Sequence, residues 1–119
     1  MTTQQIADRL VELCKKGQYE AAQKELYADH AISIEPFSTP DFEKETKGLK
    51  AIFEKGHKFS TMVDTMHGGS LSTPLVAGNS IAFTLTMDVT MKGSTRQKMT
   101  ELCVYDVKDG RIVSEQFHL

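Results

Sequence analysis

From Ile81 to Met91 the chain alternates without a break: Ile81, Phe83, Leu85, Met87, Val89 and Met91 fall on one parity, Ala82, Thr84, Thr86, Asp88 and Thr90 on the other. Successive side chains of a strand point to opposite faces, so this segment reads as a long strand with one apolar face on a core and one lightly covered face. Such a strand needs neighbours, and the sequence around it supplies them. Turn signals at Gly-Asn-Ser 78–80, Lys-Gly-Ser 92–94 and Lys-Asp-Gly 108–110 divide the chain from His67 onward into four antiparallel strands. In the strand after the long one, Met99, Glu101, Cys103 and Tyr105 share a parity, with Leu102 and Val104 opposite, and in the last strand Glu115 and Phe117 share one.

The first half of the chain has a different period. Thr2 and Gln5 have capping-box spacing, and Ile6, Leu10, Leu13 and Cys14 follow on one helical face until Gly17 ends the helix. A second helix is expected from Gln18 to about Tyr27, where Tyr19, Ala22 and Leu26 share a face. Ala31 to Glu35 alternates, and Pro36 biases Glu35 to an extended backbone, which predicts a brief strand. Leu49, Ile52, Phe53, Gly56 and Phe59 then lay out a long amphipathic helix, with Gly56 on the buried face as if another backbone approached there. Three helices followed by a curved antiparallel sheet make an α+β domain, and residues 1–119 suffice for one core and not two.

Lys and Arg number 14 against 16 Asp and Glu, a net charge of −2 without charged blocks. Such a surface has no field to gather a phosphate backbone, so nucleic acid is not an expected partner. No basic segment precedes an apolar one at the start and no long apolar run occurs, so a cytoplasmic location away from membranes is expected. Cys14 and Cys103 lie far apart in a helix and a strand and read as two buried free thiols.

The segment YADHAISIEP, the start of the long helix at Gly-Leu-Lys-Ala-Ile, the run PLVAGNSIAFTLTMDVT and the ending ELCVYDVKDGRIVSEQF resemble the NTF2-like superfamily, and more narrowly its SnoaL-like branch, over essentially the whole chain. The resemblance implies a cone of the NTF2-like or cystatin-like kind, a bent sheet wrapped around helices with an internal pocket at its wide end. It says little of chemistry, since this fold hosts isomerases, cyclases, hydrolases, dehydratases and proteins without catalysis. By the same resemblance, Glu35 matches the place where ketosteroid isomerases set the carboxylate that shuttles a proton, and Glu101 lies near their second pocket acid. The tyrosine those isomerases take from the first helix is missing, with Val11 nearest its place, which disfavours steroid isomerisation. Tyr27, Tyr105 or His67 are the candidate substitutes.

The residues make a case of their own. Glu101 sits among apolar neighbours of core parity, where an unpaired carboxyl is desolvated, holds its proton more tightly and can act as a general acid near neutral pH. The competing structural reading pairs it with Arg96, Lys98 or a backbone donor. Glu35 at a strand end can equally be solvated, and Glu115 can be an ion-pair partner between strands. Two of these three facing one cavity would split their proton affinities and separate an acid from a base. His67, beside Gly68 and Gly69, is a candidate pocket residue, as are Phe83, Leu85, Met87, Tyr105, Glu115 and Phe117. No zinc spacing, phosphate loop or nucleophile elbow occurs, so no metal or cofactor is expected.

Together these features predict a domain that binds a small, largely apolar molecule, with Glu35 and Glu101 as catalytic residues for cofactor-free proton transfer next to a carbonyl, of isomerase or cyclase type. The alternative is a non-catalytic ligand-binding or accessory domain. The sheet face carrying Thr84, Thr86, Asp88 and Thr90 with Leu102 and Val104 is expected to pair two copies as a homodimer.

Overall fold

The computed structural model describes every residue from Met1 to Leu119. Helix α1 (Thr3–Lys15) begins as its sequence dictates: the Thr2 hydroxyl accepts from the Gln5 amide at 3.1 Å and the Gln5 side chain accepts from the Thr2 amide at 2.8 Å, so two otherwise orphaned donors are satisfied. Its apolar face buries Ile6, Ala7, Leu10, Val11, Leu13 and Cys14. Helix α2 (Tyr19–Leu26) passes directly into strand β1 (Tyr27–Ile34), which is longer than the alternating segment at its end. A short strand β2 (Glu45–Lys47) precedes helix α3 (Leu49–Met62), and strands β3 (Val63–Leu71), β4 (Leu75–Ala77), β5 (Ser80–Met91), β6 (Arg96–Lys108) and β7 (Arg111–His118) complete the chain.

The fold is mixed α+β, with three helices and one curved sheet of seven strands in the order β2-β1-β7-β6-β5-β3, and β4 continuing the β5 edge beyond β3. The four strands expected after His67 become five, because the segment before Gly78 splits into β3 and β4, and β3 begins before His67. The sheet is also not purely antiparallel: β1 lies parallel to β7, with Ser33 opposite Glu115. That contact joins the first and last long strands and places two polar side chains side by side on the inner face.

The alternating pattern of β5 holds. Ile81, Phe83, Leu85 and Val89 are buried while Thr84 is exposed. Inner residues of β5, β6 and β7 form one core with α1, α2 and Ile52 of α3, and Cys14 and Cys103 are buried thiols within it. Burial pushes the Cys14 thiol up to about 12 and the Cys103 thiol up as well, so neither is a nucleophile. Between β6 and β7, Asp109 (φ 52°) and Gly110 (φ 74°) both adopt the left-handed backbone that a two-residue hairpin needs to match the twist of its strands.

Gly56 corrects an expectation. It is exposed, and an added Cβ would meet nothing within 4 Å, so no backbone approaches it. The helix turns less of itself inward than the spacing implies, with Ile52 its only fully buried residue. Replacing Gly56 by Ala should therefore stabilise the fold by about 0.5 to 1 kcal/mol, measurable by urea unfolding, because helix propensity rises without a clash. No helix is long and apolar enough to cross a membrane.

Candidate functional site

Polar side chains converge on the inner face where β1, β7 and α3 meet. Glu115 on β7 is buried, a position a carboxylate occupies only when bonded. One of its oxygens accepts from the Tyr27 hydroxyl and the other from the Ser33 hydroxyl at 2.6 Å. Both donors come from β1, which the parallel register lays along β7. Burial raises the proton affinity of Glu115, and the bonds from Ser33 and Tyr27 together with the charge of Lys55 pull it back. Tyr27 holds its own proton well beyond the usual phenol range, chiefly through burial.

Lys55 reaches into this cluster from α3. Its ammonium donates to the Ser33 hydroxyl at 2.5 Å and to Glu35 at 2.9 Å, and lies 5.7 Å from the centre of the Phe117 ring. The Lys55 side chain is only 15% exposed and that of Glu35 27%, so the pair is shielded far more than an ordinary surface bridge. The result is a hydrogen-bonded chain from Glu35 through Lys55 and Ser33 to Glu115 and Tyr27.

Glu101 stands beside this chain and outside it. It faces Leu85 across the β5–β6 ladder, on the parity of Cys103 and Tyr105. Burial first, then the charges of Glu35 and Glu115, raise it to about 7, and Lys55 pulls in the opposite direction without bonding to it. The alternative partner Arg96 is engaged elsewhere, in a two-point bond to Asp88 at 2.9 and 2.8 Å.

The structure therefore brings Glu35, Glu101 and Glu115 to one region, with Phe117 alongside. Phe83, Leu85 and Tyr105 are buried core residues, the rings of Phe83 and Tyr105 stacking 5.3 Å apart, and Met87 is packed against the same core. His67 is not brought to the cluster. It is exposed, with its Nε2 2.8 Å from the Thr90 hydroxyl on the outer face. It follows Met66, which pairs with the inward Val89, so strand alternation turns it to the outer face. Of the candidate hydroxyl donors, Tyr27 is committed to Glu115 and Tyr105 lies within the core.

Lys55 and Ser33 are site residues that the sequence did not single out, whereas Tyr27 was a candidate hydroxyl donor and is found bonded to Glu115. Lys55 lies between exposed residues on a helix and looks solvated; Ser33 had one signal, a small polar residue of inner parity within an alternating segment. No group of three His, Cys, Asp or Glu side chains is arranged to hold a metal ion. Two depressions lie elsewhere, one of about 240 Å³ lined by Gly68, Gly69, Ser70, Thr86, Asp88 and Lys98, the other of about 150 Å³ between β4, β5 and Val104. The first is lined by no hydrophobic residue and the second has no titratable group.

Apolar surface remains next to that cluster. Met99, two residues from Glu101 on the same face, is 39% exposed; farther off, across β5, Met66 pairs with the buried Val89 and is 48% exposed.

The profile of the SnoaL-like domain matches residues 1–119. A crystal structure from Mesorhizobium loti, with the working description of a SnoaL-like polyketide cyclase, is 32% identical, superposes with a TM-score of 0.94 and covers 100% of both chains. An NTF2-like protein of unknown function from Burkholderia pseudomallei is 15% identical with a TM-score of 0.82, covering 100% of this chain and 92% of its own. A protein with a ketosteroid isomerase-like fold from Catenulispora acidiphila is 17% identical with a TM-score of 0.70, covering 99% of this chain and 87% of its own. No curated protein matches the sequence.

Proposed function

Because the chain belongs to the SnoaL-like domain family, we propose that it binds a small, largely apolar molecule against the inner face of its sheet, in the cone pocket, and transfers a proton next to a carbonyl without a cofactor. The observation that carries this reading is Glu101, a carboxyl raised to about 7 and unbonded, beside the ion-paired Glu35. A group of that proton affinity both takes and returns a proton at neutral pH. In the proposed reaction ionised Glu101 removes a proton from the carbon next to the carbonyl, the electron pair moves onto the carbonyl oxygen, and protonated Glu101 returns the proton to a carbon of the resulting enolate. Glu35 supplies the second carboxylate of the pair. Met99 and Met66 offer an adaptable apolar surface for such a ligand.

Exchange of α-protons in deuterium oxide tests this, with β-tetralone as an apolar ketone probe and proton NMR as the readout. Exchange faster than in buffer, with a pH limb near 7 that Glu101→Gln abolishes, is the expected result. A rate equal to buffer across a panel of apolar ketones, or an unaltered rate in the variant, would leave the catalytic reading without support.

The second reading is a non-catalytic binding or accessory domain. It is favoured by Glu115, whose two oxygens are both occupied by internal donors, as in a structural network. Binding of β-tetralone without exchange selects it.

The outer sheet face is the proposed contact between two copies. Leu102 is 42% exposed there, beside the partly covered Val104. Sedimentation at micromolar concentration is expected to give twice the 13.3 kDa chain mass, and Leu102→Glu is expected to return the monomer. Monomer alone in the unaltered protein contradicts the pairing.

A further inference from the structure

We infer that Lys55 is the positioning residue of the acid cluster: bonded to Glu35 and to Ser33, and through Ser33 to Glu115, its charge sets how tightly Glu101, the carboxyl it does not bond, holds its proton. The inference rests on the reading of Glu101 as the titrating group and adds the residue that controls it.

The geometry is specific. Three carboxyls, Glu35, Glu101 and Glu115, come from the end of β1, from β6 and from β7, and the ammonium of Lys55 is the charge that opposes their mutual repulsion. Two of its protons are directed at Glu35 and Ser33, and none at Glu101. Glu115 is satisfied by Tyr27 and Ser33, and Glu35 by Lys55, which leaves Glu101 as the carboxyl without a partner. Removing the cation takes away the charge that offsets the repulsion among the carboxylates, so Glu101 holds its proton more tightly. Removing the charge of Glu35 has the opposite effect, since Lys55 then acts on Glu101 uncompensated.

Other groups face Glu101 without duplicating this role. Tyr19 from α2 and Cys103 and Tyr105 from its own strand lie near it, and Cys14 from α1 lies near Glu115; burial keeps all four protonated through the neutral range. A change centred on Glu101 therefore reports on the carboxylates and on Lys55.

The experiment is a carboxyl-carbon NMR titration of the full chain labelled in glutamate, with the Glu101 signal assigned by its loss in Glu101→Gln. In Lys55→Met the proton affinity of Glu101 is expected to rise about tenfold or more, as for a unit charge withdrawn at short range in a partly shielded site. In Glu35→Gln it is expected to fall by a similar factor, in Lys55→Met with Glu35→Gln to return near wild type, and in Lys55→Arg to stay near wild type. A lysine that only fastens α3 to β1 would alter stability and leave these midpoints in place. A Glu101 midpoint unchanged in folded Lys55→Met overturns the inference. If that variant does not fold, Lys55→Gln is read in its place, and an unchanged midpoint there overturns it equally. The wild-type midpoint is a separate reading: a Glu101 that titrates like an ordinary glutamate removes the proton-transfer proposal, whereas the differences among variants judge Lys55.

Discussion

Glu115→Ala is expected to lower the stability of the fold by about 3 to 5 kcal/mol, the usual consequence of removing one member of a buried charged network. Three effects act together. The Tyr27 and Ser33 hydroxyls lose their acceptor, and each buried hydroxyl left unpaired costs about 1 to 3 kcal/mol. Lys55 loses the carboxylate that balances its charge through Ser33, and the truncated side chain leaves a void at the β1–β7 contact. Urea unfolding measures the loss directly, and the thermal midpoint should fall by more than about 10 °C in a chain of this size. Glu115→Gln retains the shape and an acceptor for one hydroxyl, so its loss should be about half as large. A change below about 1 kcal/mol in Glu115→Ala would mean that the internal bonds are not formed in solution, since surface substitutions give changes of that size.

The opposite sign is expected at Glu101. Its carboxyl is raised to about 7 in the folded chain, against an ordinary value of 4.5. Between these two values the folded state holds a proton that the unfolded state has released, so the wild type loses stability as pH rises from 4.5 to about 7 and stays at its lower level above. Glu101→Gln cannot titrate and removes this slope. At pH 8 the variant should exceed wild type by on the order of 2 kcal/mol, a figure reduced from the full conversion because water reaches part of the carboxyl and screens it. Near pH 4.5 the gap should close, because both folded and unfolded wild type then carry much of the proton. Unfolding in urea at both pH values, for both proteins, reads the sign. A loss of about 3 kcal/mol or more at pH 8 would identify Glu101 as an ion-pair partner and would sink the proton-transfer proposal.

Both predictions depend on which face of the sheet the acids occupy, and that much was legible in the sequence. A strand has a period of two, so the parity of Glu101 with Cys103 and Tyr105, and of Glu115 with Phe117, assigns a face once the apolar set is recognised. The capping box of α1, the long β5 and the Asp109–Gly110 turn are equally local, each specified by residues within a few positions of one another. The wider resemblance of the chain to SnoaL-like domains was legible for the same reason, since it rests on contiguous segments.

What only the tertiary structure decided involves residues distant along the chain. The parallel pairing of β1 with β7 places Ser33 against Glu115, 82 positions away, and no periodicity in either segment encodes that register. The pairing of Met66 with the inward Val89 turns His67 to the outer face, and nothing in the residues around His67 encodes that pairing. Gly56 faced outward because α3 touches the sheet along a narrower stripe than its apolar residues suggest. Lys55 was hidden most completely. On a helix surface a lysine is by default solvated, and it becomes a site residue here because β1 ends within reach of its ammonium and delivers Ser33 and Glu35 to it. The sequence alone determined the three helices, the long strands β5 to β7 with their inner parity, and the presence of three acids of inner or strand-end position. Long-range pairing determined which of those acids is bonded and which is left to hold the proton, because hydrogen bonds and charge act over a few ångströms in space, whatever the separation along the chain.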